Sequence, residues 1–148
     1  MESIKFVVYG KPQSLQRHRT GSNGHRYDPS EGSKKDFLAQ AIAHKPDKPL
    51  TGEMELKVTL YFARPKKHYH TGKRSDVLRV DAPDRHKNTP DADNVLKFVG
   101  DALNGIFWQD DKTITDANIR KRYSDTPRIV VEINELSPFV RRTRDGNI

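Results

Sequence analysis

The stretch from Met54 to Phe62 constrains the fold more than any other part of the chain. Met54, Leu56, Val58, Leu60 and Phe62 alternate strictly with Glu55, Lys57, Thr59 and Tyr61. Successive side chains on a strand point to opposite faces, so the run predicts a strand with one buried face. Ile4–Tyr9, with Ile4, Phe6 and Val8 on one side, predicts another strand. Phe37, Leu38, Ala41 and Ile42 recur at helical spacing behind Ser33 as N-cap, and Pro46 and Pro49 stop that helix. Thr89-Pro90 reads as N-cap and first-turn proline of a second helix. Its stripe is Val95, Leu96, Val99, Ala102 and Leu103, and Asn104-Gly105 ends it. Ile114–Tyr123 and Arg128–Leu136 read as two strands joined through Ser124-Asp125-Thr126-Pro127 as a hairpin. The order strand, helix, strand, helix, strand, strand predicts a single-domain α+β fold. We expect a mixed sheet of about four strands with two helices over residues 1–136, then a polar, basic tail over 137–148.

A length of 148 residues suits one domain. Apolar residues make up 33% and charged residues 32%, with a mean hydropathy of -0.89. A modest core with long polar loops follows, not global disorder, because the apolar stripes are present. The chain has no cysteine, which removes disulfides, thiolate zinc sites and cysteine nucleophiles. No apolar run approaches the roughly 20 residues that cross a bilayer. The start, with Glu2 running into a strand pattern, does not resemble a secretory leader. The expectation is a soluble, cytoplasmic protein with no membrane partner.

The net charge is +7, unevenly placed. Asp91–Asp116 contains six Asp and two Lys, a net of −4 against +11 for the remainder. A basic body around an acidic patch suits an enzyme that grips a polyanion beside a divalent cation. The plainer reading is a basic protein with one acidic helix end. Two long polar stretches, Gly10–Ser30 and Arg64–Asn88, carry Arg17, His18, Arg19, Arg26, Lys66, Lys67, Lys73, Arg74, Arg79, Arg85 and Lys87. These cations read either as a phosphate-gripping surface or as simple solubility, and the scarcity of acids beside them favours nucleic acid. Tyr27, Tyr69, His68 and His70 could stack on exposed bases, although local packing is the better account of each. His68 and His70 also have the spacing of a metal pair, without a partner pattern to complete it. Trp108 reads as core.

The sharpest chemical signal is Pro90-Asp91-Ala92-Asp93-Asn94, then Lys97, then Asp110-Asp111. Two Asp at a helix start can face one cation, and several carboxylates are needed there to outweigh the positive helix end. Carboxylate oxygens without thiolates suit a hard ion such as Mg²⁺. Lys97 follows Asp93 by one turn on the same face. Asp110 and Asp111 come from the turn after the helix and are expected to close on the same point. Each acid alone also has an ordinary role: helix-end charge, surface pair or turn. A calcium loop is excluded, because Val95 and Leu96 occupy places that need a ligand and a glycine. An Asp-x-Asp nucleotide-sugar site would need a nucleotide-binding fold that the sequence does not display.

The run Asp91-Ala92-Asp93-Asn94-Val95-Leu96-Lys97, then Asp101-Ala102-Leu103, Phe107-Trp108-Gln109-Asp110-Asp111, Asp116 and Lys121, resembles the RusA family of Holliday-junction resolvases of bacteria and their phages. That family shows Asp-x-Asp-Asn-Leu-x-Lys, Asp-Ala-Leu, an aromatic stretch ending in Asp-Asp, and a strand bearing Lys. Gly10-Lys11-Pro12 and Arg17-His18-Arg19 are similar to its Gly/Pro/Arg-rich first loop. The resemblance implies a homodimeric endonuclease of recombination and repair that uses Mg²⁺, with Mn²⁺ as a substitute, to nick two strands of branched DNA. It implies Asp91, Asp93 and Asp111 as metal-binding and catalytic acids, Asp110 as their neighbour, and Lys97 as catalytic lysine. Lys121 matches the later strand lysine and joins Arg17, Arg19, Lys66, Lys67, Lys73 and Arg74 as DNA contacts. Val95 replaces the commoner Leu, and Arg64–Asn88 is longer than in compact members. Other readings are a metal nuclease for flaps or nicks and a DNA-binding module without catalysis. A pure binding module has no use for acids that repel phosphate.

Overall fold

The computed structural model describes residues 2–138. The expected basic tail lies almost entirely outside them. Six strands and two α-helices are arranged as β1 (Ser3–Tyr9), β2 (Arg19–Thr20), β3 (Arg26–Tyr27), α1 (Glu31–Ala41), β4 (Met54–Phe62), α2 (Ala92–Leu103), β5 (Ile114–Tyr123) and β6 (Arg128–Glu135). The main sheet has four strands in the order β1-β6-β4-β5. It is mixed: β6 is antiparallel to both β1 and β4, and β5 runs parallel to β4. This is the α+β domain of four main strands and two helices that the patterning predicts.

The alternation in β4 becomes one buried ladder. Phe6, Val131 and Val58 stand in one row across the sheet, and Val8, Ile129 and Leu60 in the next. α1 contributes Phe37 and Ala41 to the core, and α2 contributes Val95, Phe98, Val99, Ala102 and Leu103. Phe37 meets Phe98 edge to face at 5.9 Å. Trp108 is fully buried, as expected of a core residue. Leu96, read as part of the α2 stripe, is only half-buried, and Phe98 takes its place inside.

Several local expectations shift. β5 and β6 are not a hairpin: β6 crosses the end of β4 and inserts between β4 and β1. The reason is polarity. β6 has Ile129, Val131 and Ile133 to bury in the centre, whereas β5 carries Thr115, Asp116, Asn118, Arg120 and Arg122, which suit an edge. α1 starts behind Ser30 instead of Ser33, and α2 starts behind Asp91 instead of Thr89. Asp91 has the extended backbone of an N-cap, and its carbonyl accepts from Val95 N at 3.2 Å. The Thr89–Pro90 peptide bond is cis. The first loop contains the small β2–β3 hairpin, turned at Gly24, whose φ of 81° suits glycine.

Arg64–Asn88 is folded. A 3₁₀ turn, Lys66–His68, precedes a bridge between Tyr69 and Leu78, and a second, Gly72–Arg74, lies in the loop that the bridge closes. The stretch then returns along the free edge of β5: Arg85 bridges Arg122, and His86 N donates to Lys121 O at 3.2 Å. No helix among the described residues is long and apolar enough to cross a membrane.

Candidate active site

The return of the chain along β5 delivers Asp91 to the end of the sheet where β4 and β5 finish. There it lines a cavity of about 720 Å³ together with Lys11 and Gln13 of the first loop, Phe62 at the end of β4, His86 and Asn94. The first loop is fastened to α2, since Leu15 N donates to Asn94 O at 3.2 Å. Asp91 holds the N-cap position, yet its carboxylate makes no capping hydrogen bond. Asp93, in the first turn, is 70% exposed, and Lys97 is 63% exposed with its Nζ 3.9 Å from Asp93 Oδ2. That separation is a loose surface pair, which leaves both groups able to turn to a ligand. Lys121 reaches this end from β5, donating through Nζ to Asn88 O and lying 6.0 Å from the centre of the Phe62 ring.

Asp110 and Asp111 are elsewhere. α2 has 12 residues, and at ~1.5 Å per residue its ends are roughly 18 Å apart. The chain after α2 turns back at its C-terminal end, where Gly105 N donates to Trp108 O at 2.7 Å and Asn104 bridges Trp108. Asp110 caps the 3₁₀ turn Asp111–Thr113, accepting from Lys112 N at 3.0 Å. Asp111 Oδ1 accepts from the indole Nε1 of buried Trp108 at 2.6 Å. The expected closure of all four acids on one point therefore does not occur within one chain. Consistent with this, no three His, Asp or Glu side chains among the described residues converge as a metal cluster, and His68 with His70 forms none either. Asp101, one turn beyond Lys97, faces α1, 3.8 Å from Lys34 Nζ.

The remaining candidates divide by region. Arg17 and Arg19 are exposed on the first loop, Arg19 within β2. Lys66 and Lys67 sit on one 3₁₀ turn of the Arg64–Asn88 stretch, and Lys73 and Arg74 on the other. His68 and Tyr69 serve that stretch's own packing. His68 is buried edge-on to Tyr123 at 4.6 Å, and Tyr69 Oη donates to Asp125 at 2.9 Å. Burial, then the charges of Arg64 and Lys67, hold the His68 imidazole below its ordinary range. The Asp125 bond pushes the Tyr69 phenol up.

Sequence reasoning missed His86. It stacks on Phe62 at 3.9 Å and tilts against Tyr123 at 5.0 Å. Its Nδ1 is the one buried side-chain polar atom without a hydrogen-bond partner among the described residues. Burial, and then Lys121, lower its pKa, so the ring is neutral at neutral pH. The only sequence signal was its place, five residues before Asp91.

The side chains at the start of α2 are carboxylate oxygen donors, the class that a hard divalent ion takes. Mg²⁺ is commonly held by one or two carboxylates, with water and substrate phosphate filling the other positions. Asp91, without a capping bond, and Asp93, loosely paired and exposed, supply that donor set.

A family model described as endodeoxyribonuclease RusA matches residues 9–134, a span that includes both acid pairs and Lys97. The chain is also 32% identical over 142 residues to a protein of Bacillus subtilis (strain 168) described as uncharacterized protein YqaN, covering 93% of this chain and 99% of that one.

Proposed function

The chain belongs to the RusA endodeoxyribonuclease family, and from that premise we propose that it resolves four-way DNA junctions by paired phosphodiester hydrolysis, as a homodimer dependent on Mg²⁺. The observation that carries this reading is the start of α2. Asp91, its carboxylate outside the cap, lines a cavity next to the first loop, and Asp93, two residues on, stands one turn before Lys97.

Asp91 and Asp93 would hold the ion, and Mn²⁺ would substitute for it. Bound there, the ion supplies positive charge that activates water and stabilises charge on the phosphate. The two carboxylates offset the positive end of α2, which otherwise opposes a cation. Lys97 lies beside Asp93 and presents its ammonium to the attacked phosphate. Lys121 and the cations Arg17, Arg19, Lys66, Lys67, Lys73 and Arg74 grip the sugar–phosphate backbone. Asp111, with Asp110 beside it, joins a site only if a second copy brings its own α2 end to the first, since one chain holds them a helix length apart. A two-fold dimer also matches the near two-fold symmetry of the junction and gives two symmetric cuts. Such an enzyme works in the cytoplasm of a bacterial or phage-infected cell, where recombination intermediates arise.

The test is cleavage of a synthetic four-way junction beside a linear duplex of equal length, with and without Mg²⁺. Paired nicks in the junction alone, and only with the ion, are expected. Equal cutting of flaps or nicked duplex would move the activity to branched DNA in general, and no cutting of any DNA would overturn the reading.

A further inference from the structure

A second hollow lies beside the Asp91 cavity. It has a volume of about 460 Å³, and four cations line it: Lys67, Arg79, Arg85 and Lys87. Asp81 is the single acid among its lining residues. None of the four cations takes part in an ion pair among the described residues. Asp84, the acid nearest in sequence to Arg85, is held instead by Arg64 at 3.0 Å.

The hollow is assembled by backbone contacts. On one side the chain folds back on itself: Arg79 N donates to His68 O at 2.9 Å, and Arg79 Nε donates to Tyr69 O at 3.0 Å, which fixes the guanidinium. On the other side the run 85–88 is laid along β5 by the Arg85–Arg122 bridge and by Tyr123 N donating to Asp84 O at 2.8 Å. Side chains alternate along an extended run. Accordingly Arg85 and Lys87 line the cationic hollow, while His86 between them lines the cavity of Asp91. One thickness of backbone divides the two spaces.

Resting on the function proposed above, we infer that this hollow binds the sugar–phosphate backbone of a second DNA strand at a branch point, and so selects branched over linear DNA. Four cations on preset walls match a phosphodiester backbone, and a guanidinium with a fixed orientation presents its donors to phosphate oxygens. In a linear duplex the two backbones keep a fixed helical spacing. At a branch point they diverge, and one can enter the Asp91 cavity while the other enters the cationic hollow.

The experiment compares parent protein, the double variant Lys67→Glu/Arg79→Glu, and Lys45→Glu, an exposed cation that lines neither space. Dissociation constants are measured without Mg²⁺ on a four-way junction and on a linear duplex of equal length. Circular dichroism checks that each variant is folded, and Lys67→Gln/Arg79→Gln replaces the double variant if the charge reversal unfolds it. The double variant should lose at least about tenfold more affinity for the junction than for the duplex, a gap of about 1.4 kcal/mol. Lys45→Glu should change the two equally and slightly. Equal loss on both DNAs, or no loss, overturns the inference. Cleavage of the junction by the parent with Mg²⁺ is scored separately. If the parent cuts but the affinity gap is absent, the subsite fails alone. If the gap is present but the parent does not cut, the catalytic reading fails alone.

Discussion

At the start of α2, Asp91 leaves its carboxylate out of the cap, and Asp93 faces Lys97 at a loose 3.9 Å. At the far end, Asp110 caps a 3₁₀ turn and Asp111 holds the indole of buried Trp108 at 2.6 Å. In the sequence both are close pairs of Asp, with nothing that separates their roles. Their surroundings separate a pair available to a ligand from a pair that supports local structure, and substitutions at the two ends should report that difference.

After the acids themselves, the largest effect is expected at Lys97, which stands beside Asp93. Lys97→Ala should lower single-turnover cleavage at saturating enzyme by on the order of 10²–10³, the usual loss for one donor acting on developing charge. Junction affinity should fall far less. Lys97→Arg should stay poor, because its planar fork differs in reach and hydration. Should Lys97→Ala cleave at the parent rate once saturated, Lys97 is only a phosphate grip.

Asp111 tests the other end. Asp111→Ala leaves Trp108 Nε1 buried without a partner, which costs about 1–3 kcal/mol and should appear as a lower denaturation midpoint. Asp111→Asn keeps an acceptor and should be closer to the parent in stability. If a second copy uses Asp111 at its own site, Asp111→Asn nonetheless loses cleavage. A stable and fully active Asp111→Asn would confine Asp111 to local structure.

Smaller effects come from the segment beside the site. His68 and His86 both have lowered pKa values, chiefly through burial. A histidine depressed in the folded state binds its proton more readily when unfolded. Its contribution is therefore complete above the ordinary value of 6.5 and is lost as pH falls below it. The thermal midpoint should drop between about pH 7 and pH 5, and His86→Phe, which keeps a ring against Phe62, should flatten the drop. An unchanged drop would assign it to other groups. The smallest effect is expected at Lys73, exposed on a 3₁₀ turn. Lys73→Ala should reduce the slope of log K against log salt by about 0.9 if the residue contacts one phosphate, and leave it unchanged if it contacts none.

The sequence displays the elements that bury a face. β4 was legible from its alternation and α2 from its stripe, because a period of two or of about 3.6 is imposed by the core itself. The pairing of β5 was not legible. Its four-residue link to β6 suggests a hairpin, yet β6 is the more apolar strand and takes the central place. β2 and β3, two residues each, are too short to show a period. Asp93 and Lys97 could be placed together because one helical turn relates them, and Asp91 could be placed at the same helix start because it lies two residues before Asp93. Asp110 and Asp111 could not be, since the length of α2 and the turn at Gly105 are three-dimensional facts. His86 had no periodic signal beyond its nearness to Asp91, and its role rests on the stack against Phe62.

The central claim is that chemistry belongs to the acid pair that begins α2. Single-turnover cleavage of a four-way junction with Mg²⁺, measured for the parent and for Asp91→Asn at saturating enzyme, addresses it directly. We expect no detectable product from Asp91→Asn, with junction affinity equal to the parent or tighter, because a ligand to the ion and a charge that repels phosphate are removed together. Cleavage by Asp91→Asn near the parent rate would contradict the account.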